Sequence, residues 1–423
     1  MTLSNRSLCG LALLAGIALP SLHSTESRKP KIRAITGFIT IDAKSYPSQI
    51  EEAVTFLSEV RKGIQGAGYE VSGIRISTQP FPEYTRGLSH DEALSVLRGI
   101  DALAAKLKFA PNIGPAMVGE DDVGSVDLLT EVLSRAGNRL SANVFTAGED
   151  GIHWNAVRQA ARIIRAVGQR SPHGQGNFNF AAIAMLKPYG PFYPGAWHPG
   201  GGPRSFAIGL ESANVVMDVF AREHDPRKAG EALTAALALH ARAVEAAAKK
   251  AADGRGWRYA GIDPTPAPSG EVSIGAAIES FTGEPFGAPG TETASGIITR
   301  AVKAVPVKQT GYSGLMIPVL EDAVLTRRWT ERTYGLDSIL AYSAVCAGGV
   351  DTVPLAGDTS EESIARIVGD VATLAFKWNK PLATRLLPAP GKKAGETTEF
   401  SGALANAVIQ PLIGSPRKNR GRL

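Results

Sequence analysis

Cysteine is almost absent from this chain. Two thiols, Cys9 and Cys346, in 423 residues exclude both a disulfide scaffold and a cysteine-rich metal centre. A net excess of charge is also missing. The 45 basic and 40 acidic residues leave only +5, and Arg417, Lys418, Arg420 and Arg422 near the C-terminus supply most of it. Aromatic residues make up 7% of the chain and no basic groove interleaves with them, so nucleic acid is excluded as a partner. The longest apolar run, about twelve residues near the N-terminus, is too short for a stable membrane anchor. No H-E-x-x-H, G-x-x-x-x-G-K-[ST] or G-x-S-x-G pattern occurs, and no G-x-G-x-x-G follows a strand.

What remains has a globular composition, with 44% apolar and 20% charged residues. Glycine (46) and proline (27) are plentiful, which favours many tight connections over a helical bundle. Residues 1–24 carry an early Arg, the short apolar run and then small polar residues, the pattern of a signal peptide cleaved near Ser24. Cleavage would make the protein secreted or periplasmic; without it the protein is cytoplasmic. Cys9 would leave with the leader, and Cys346 would remain without a disulfide partner. Residues 412–423 read as a basic, frayed tail.

Between them, residues 31–411 alternate strand-like runs with amphipathic helices. "KIRAITGFITID" and "EVSGIRIST" predict strands on either side of a helix from Tyr46 that Gly66 and Gly68 end, with Ser48 and Glu51 as its capping box. Further helices are expected near His90–Leu107, Val126–Ala136, Trp154–Gly168 and Pro226–Asp253. In "AGDTSEES", Asp358 or Thr359 is the expected cap of another helix, with Glu361 and Glu362 in its first turn. This alternation argues for parallel pairing in one α/β domain.

The stretch "YPGAWHPGGGPRSFAIGLES" cannot be helix or central strand up to Pro203, because proline and glycine are too dense. It reads as a pocket wall, with His198 as an acid–base group, Arg204 as an anion clamp and Trp197 as packing. Glu211, Asp263, Glu279 and Asp351 lie where strand-like runs give way to loops, the usual place for reactive groups in α/β folds. Each alone is as well explained as a cap or ion-pair partner. Together they leave room for a divalent metal, with His198 as a further ligand. Lys392, in the glycine-turned loop "PAPGKKAGE", is a candidate ligand contact.

The segment from "CAGGVDTVPLAGDTSEES" through "PAPGKKAGETTEF" resembles the domain-of-unknown-function 711 proteins. So do "PFYPGAWHPGGGPRSFAIGLESANVV", "GIDPTPAP", "GEPFGAPGT" and "GLMIPVLED". The resemblance runs in order from about Ile32 to Pro411. It implies a ten-stranded α/β barrel of two five-stranded halves, like that of pyruvate formate-lyase and other glycyl-radical enzymes. Cys346 would then fall on the cysteine loop of such a barrel. The chain departs from the radical enzymes at three points: no glycyl-radical loop near the C-terminus, no adjacent cysteine pair, and Ala347–Gly348 rather than x-Glu after Cys346. No glycyl radical is therefore expected.

The leading reading is a non-radical enzyme acting on a small polar, carboxylate-bearing metabolite. Cys346, His198, Asp351 and Glu279 would be catalytic, and Arg204, Glu211, Asp263 and Lys392 would bind the substrate. A catalytically silent small-molecule binding protein is the alternative from another class. A metal-dependent hydrolase or lyase using Asp263, Glu279 and Asp351 is the third, and a homodimer is compatible with all of them.

Overall fold

The computed structural model describes residues 28–122 and 125–413. The expected signal peptide and the basic tail from residue 414 lie outside the described residues. Ten strands form one sheet: β1 (Lys31–Ile39), β2 (Ile74–Thr78), β3 (Ala110–Met117), β4 (Ser141–Gly148), β5 (Gly151–Ile152), β6 (Phe180–Ala184), β7 (Ser205–Glu211), β8 (Arg258–Asp263), β9 (Gly349–Ala356) and β10 (Leu382–Ala389). The order is β8-β7-β1-β2-β3-β4-β6-β10-β9, with the two-residue β5 hairpinned onto β4.

Strands β1, β2, β3, β4 and β6 are mutually parallel and form the expected five-stranded half. At both of its edges the direction reverses, because β7 runs antiparallel to β1 and β10 antiparallel to β6. The second half differs from expectation. Between β8 and β9, where a further strand would close the ring, residues 309–318 make one bridge at Gln309 to Ile262 and another at Pro318 to Asp351. The barrel is outlined but not closed by a continuous ladder.

Helices cover the outer face, held by apolar residues three and four apart. In Tyr46–Gly66 these are Ile50, Ala53, Leu57, Val60 and Ile64. The helix packs against Pro226–Ala252, and Trp154–Arg170 packs against Glu361–Trp378. Helix starts differ in detail from the sequence reading. Ser48 lies inside the first turn rather than capping it, because Asp42 already accepts from the amides of Lys44 and Ser45 and Pro47 enters at the second helical position. Ser360, not Asp358 or Thr359, caps Glu361–Trp378, accepting from the Ser363 amide. Ser89 and Glu92 do form a full capping box.

The inner face is different in kind. Alternate residues there are small or polar, including Thr36, Ser77, Asn112, Asn143, Ala181 and Ala383. They leave space for a chain, and residues 185–204, linking β6 to β7, pass through it. The Pro194 carbonyl accepts from Asn112 Nδ2 at 3.0 Å and Asn143 Nδ2 at 2.7 Å, and the Pro191 carbonyl from Thr36 Oγ1 at 2.9 Å. A chain inside a barrel has no neighbouring strand to bond its amides. Proline removes those donors, and inward Asn and Thr satisfy the carbonyls. The density of proline in this loop follows from its path.

Candidate binding site in the barrel cavity

The tip of the threaded loop, Phe192–Gly195, stops short of filling the barrel. Beyond it lies a cavity of about 210 Å³ whose wall is unusually rich in charge. Arg33 reaches it from β1, at the point where pairing with β7 slips between Ile32 and Ala34 and breaks the alternation of side chains. Arg75 comes from β2, Asp351 from β9 and Arg385 from β10, while Glu321 follows the bridging segment.

Four of these side chains, with Glu211 behind the wall, form one relay. Glu211 accepts from Arg33 at 2.9 Å, and Arg33 also donates to Glu321 at 3.2 Å. Arg385 donates to the other Glu321 oxygen at 2.5 Å and to Asp351 at 2.6 Å. Burial pushes the Asp351 carboxyl up, against the opposing pull of the Arg385 charge. Glu211, Asp351 and Arg385 are buried and Arg33 and Glu321 half-buried, so the members depend on one another for compensation.

Arg75 stands outside it. Among the described residues it makes no ion pair; its guanidinium lies 4.9 Å from the centre of the Tyr193 ring, and Nη1 reaches the Pro191 carbonyl only at 3.4 Å. Burial, and next the Arg33 charge, push its pKa down to about 10, so it remains a cation at neutral pH. A half-buried cation that bonds no carboxylate, and feels only the more distant charge of Glu321, is a site for an anion. Packed against the loop tip, Tyr312 lines the cavity, and burial followed by the Asp351 charge raises its phenol above the ordinary value.

The residues expected from sequence are scattered by comparison. Asp351 lines the cavity and Glu211 supports its wall through Arg33. Asp263 is wholly buried and accepts from Thr265 N and Oγ1, Tyr312 N and Ser313 N, which pins the bridging segment and so positions Tyr312. Burial raises it to about 6 despite those donors. Glu279 sits on an outer helix, bonded to Arg328 at 2.6 Å. Arg204 pairs with Glu52, and Lys392 with Glu399, both on the surface.

Cys346 and His198 do not line the cavity. Cys346 belongs to the main hydrophobic core, its thiol pushed up by burial, while Lys380 bonds its carbonyl at 2.7 Å. His198 lies at the base of the loop, where its amide donates to Thr78 O and its Nδ1 accepts from Gly200 N at 3.1 Å; burial lowers its pKa. Trp197 packs edge-on against Phe145, as expected. Nor do Asp263, Glu279 and Asp351 meet. Among the described residues no group of three or more His, Cys, Asp or Glu is placed to hold a metal ion.

Arg33, Arg75, Glu321, Tyr312 and Arg385 escaped the sequence reading. A signal for the arginines was present: "KIRAI", "GIRIS" and "ATRLL" each set one Arg inside an otherwise apolar or small-residue strand, where only an inward polar site accommodates it.

Fold and site together define a protein with two opposed α/β half-barrels, a threaded proline-rich loop and an arginine-lined cavity. The chain belongs to the family described as Uncharacterised ACR (DUF711), whose model matches residues 24–402. Among its relatives are UPF0210 proteins of Desulforudis audaxviator, 30% identical over 81% of this chain and 79% of that one, and of Carboxydothermus hydrogenoformans, 27% identical over 93% of each. Two solved structures align at 9% identity. The anaerobic ribonucleotide reductase from Thermotoga maritima has a TM-score of 0.44, covering 84% of this chain and 75% of that one. The class Id ribonucleotide reductase alpha subunit of Actinobacillus ureae has a TM-score of 0.43, covering 86% and 85%. No described helix is long and apolar enough to cross a membrane.

Proposed function

We propose that the cavity binds a small carboxylate-bearing metabolite, with Arg75 as the residue that holds its anion. The observation that supports this is a half-buried guanidinium in the cavity wall with no carboxylate bonded to it among the described residues, while the three acids nearby are already engaged by Arg33 and Arg385. A planar two-oxygen anion satisfies such a guanidinium best. Isothermal titration of small carboxylates into the wild type and Arg75→Gln is the test. Binding to the wild type alone is expected; equal binding to both would overturn the reading.

Acid–base turnover of the bound molecule is the second reading. The Tyr312 phenol, beside Asp351 and accepted by no described residue, favours it as a proton donor to a ligand oxygen. Catalytic silence is favoured instead by a cavity wall that carries no His, Cys or Lys among the described residues. Neither reading uses a radical, because neither has a thiol in the wall. Mass spectrometry of any carboxylate that binds, incubated with the wild type and Tyr312→Phe, separates turnover from storage.

A further inference from the structure

We infer that the ligand is a dicarboxylate held at both ends, with the second carboxylate on Arg139 at the cavity mouth. This rests on the reading of Arg75 given above. Arg139 lines the same cavity but keeps its side chain 51% exposed. Its own partners are marginal. The nearest carboxylate, Asp101, is 3.8 Å away, and that same Oδ1 already accepts from the Arg139 amide at 3.0 Å. Its other contact, to the Gly137 carbonyl, is 3.5 Å long. The guanidinium is therefore free to take an anion at little cost.

The strand order sets the two arginines on either side of β3. Arg75 on β2 pairs directly with Ala110 on β3, and Asn112, two residues further on, pairs with Ser141 on β4. Arg139 precedes Ser141 by two residues, in the connection that leads into β4, and lines the same cavity as Ala110. The two cations thus enter the cavity from either side of β3, about two strand spacings or 9–10 Å apart across the sheet. Ala110 contributes almost no volume between them. Ser141 and Asn179, both in the wall, offer polar groups alongside. Two long arginine side chains converging across that gap suit carboxylates joined by two or three methylenes. A monocarboxylate would satisfy Arg75 and leave Arg139 in water.

The experiment is isothermal titration of succinate, glutarate and butyrate at low ionic strength, into the full chain and into Arg75→Gln and Arg139→Gln. Arg139 is exposed enough for its variant to fold, which circular dichroism would verify. Succinate or glutarate should bind the wild type roughly tenfold more tightly than butyrate. Arg139→Gln should reduce the dicarboxylate to the affinity of butyrate and leave butyrate unchanged, while Arg75→Gln should abolish all three. Equal affinities for succinate, glutarate and butyrate in the wild type would overturn the dicarboxylate inference yet leave Arg75 as the anion site. An Arg139→Gln variant that keeps the dicarboxylate preference would overturn it equally. If none of the three binds the wild type, the carboxylate reading itself fails and the inference falls with it.

Discussion

The Tyr312 hydroxyl occupies the space in which Gly195 would carry a side chain: a Cβ built on Gly195 falls 2.1 Å from the phenolic oxygen and 3.0 Å from the ring carbon bearing it. The loop tip and the bridging segment meet at this contact, and together they form one end of the cavity. Gly195→Ala should therefore displace Tyr312, cost about 1–3 kcal/mol of stability and weaken carboxylate binding. Removing the hydroxyl relieves most of the overlap. The double variant Gly195→Ala/Tyr312→Phe should be more stable than Gly195→Ala alone, as a double-mutant cycle in urea would show. Strict additivity would mean that the two residues are not in contact in solution.

Arg75 and Arg385 should respond differently to the same substitution. Arg75→Met removes a half-buried cation that bonds no described acid and is attracted only by the more distant Glu321 charge, so stability should stay within about 1 kcal/mol of the wild type while ligand binding is lost.

Arg385→Met leaves Glu321 without one of its two arginines and Asp351 without its ion pair, and should cost about 3–5 kcal/mol. Denaturant midpoints for the two variants, measured side by side in the same buffer, would check the contrast. A larger loss for Arg75→Met would place the missing counter-charge inside the protein rather than on a ligand.

Asp263 makes a pH-dependent contribution whose sign is set by burial. Its carboxyl rises from 3.8 to about 6 on folding, so the folded chain holds that proton more tightly than the unfolded one. The contribution is present in full below about pH 3.8 and is lost as pH rises through about 6. Asp263→Asn lacks this dependence. Lowering the pH from 7 to 4 should therefore shift the stability of the wild type, relative to the variant, upward by about 2 kcal/mol. Urea titrations of both proteins across that range are the measurement, and parallel pH profiles would contradict the raised carboxyl.

Cys346 should resist alkylation at neutral pH until the protein unfolds, because the thiol is buried and burial disfavours the thiolate. His198→Ala should leave that resistance unchanged. Rapid labelling of the native protein at pH 6, lost in His198→Ala, would instead reveal a thiol–imidazole pair.

Much of the framework is legible from short windows of sequence. The helix expected near His90–Leu107 spans those residues, and Pro226 opens the long helix that runs to Ala252. The errors at Ser48 and Ser360 are shifts of one to three residues. Several serines, threonines and aspartates compete for one cap, and the local chain path decides among them. The proline- and glycine-rich stretch after Tyr193 is recognisable as a loop, whereas nothing local in the sequence tells that His198 bonds back to Thr78 and Gly200 or that Cys346 lies in the hydrophobic core.

The sequence by itself determined the α/β alternation, the family, the low-cysteine chemistry and the position of the irregular loop. Those depend on hydrophobic period, caps and breakers acting over a few neighbouring residues. Only the tertiary structure decided which charges meet. Glu321 joins Arg33, 288 residues away, to Arg385, 64 residues away, and Arg33 reaches Glu211 across 178. Such pairs leave no local periodicity, because the partners are selected by strand order and by a slip in the register of β1, not by spacing along the chain. That same order leaves Arg75 with no described carboxylate partner, and so makes it the residue that calls for a ligand.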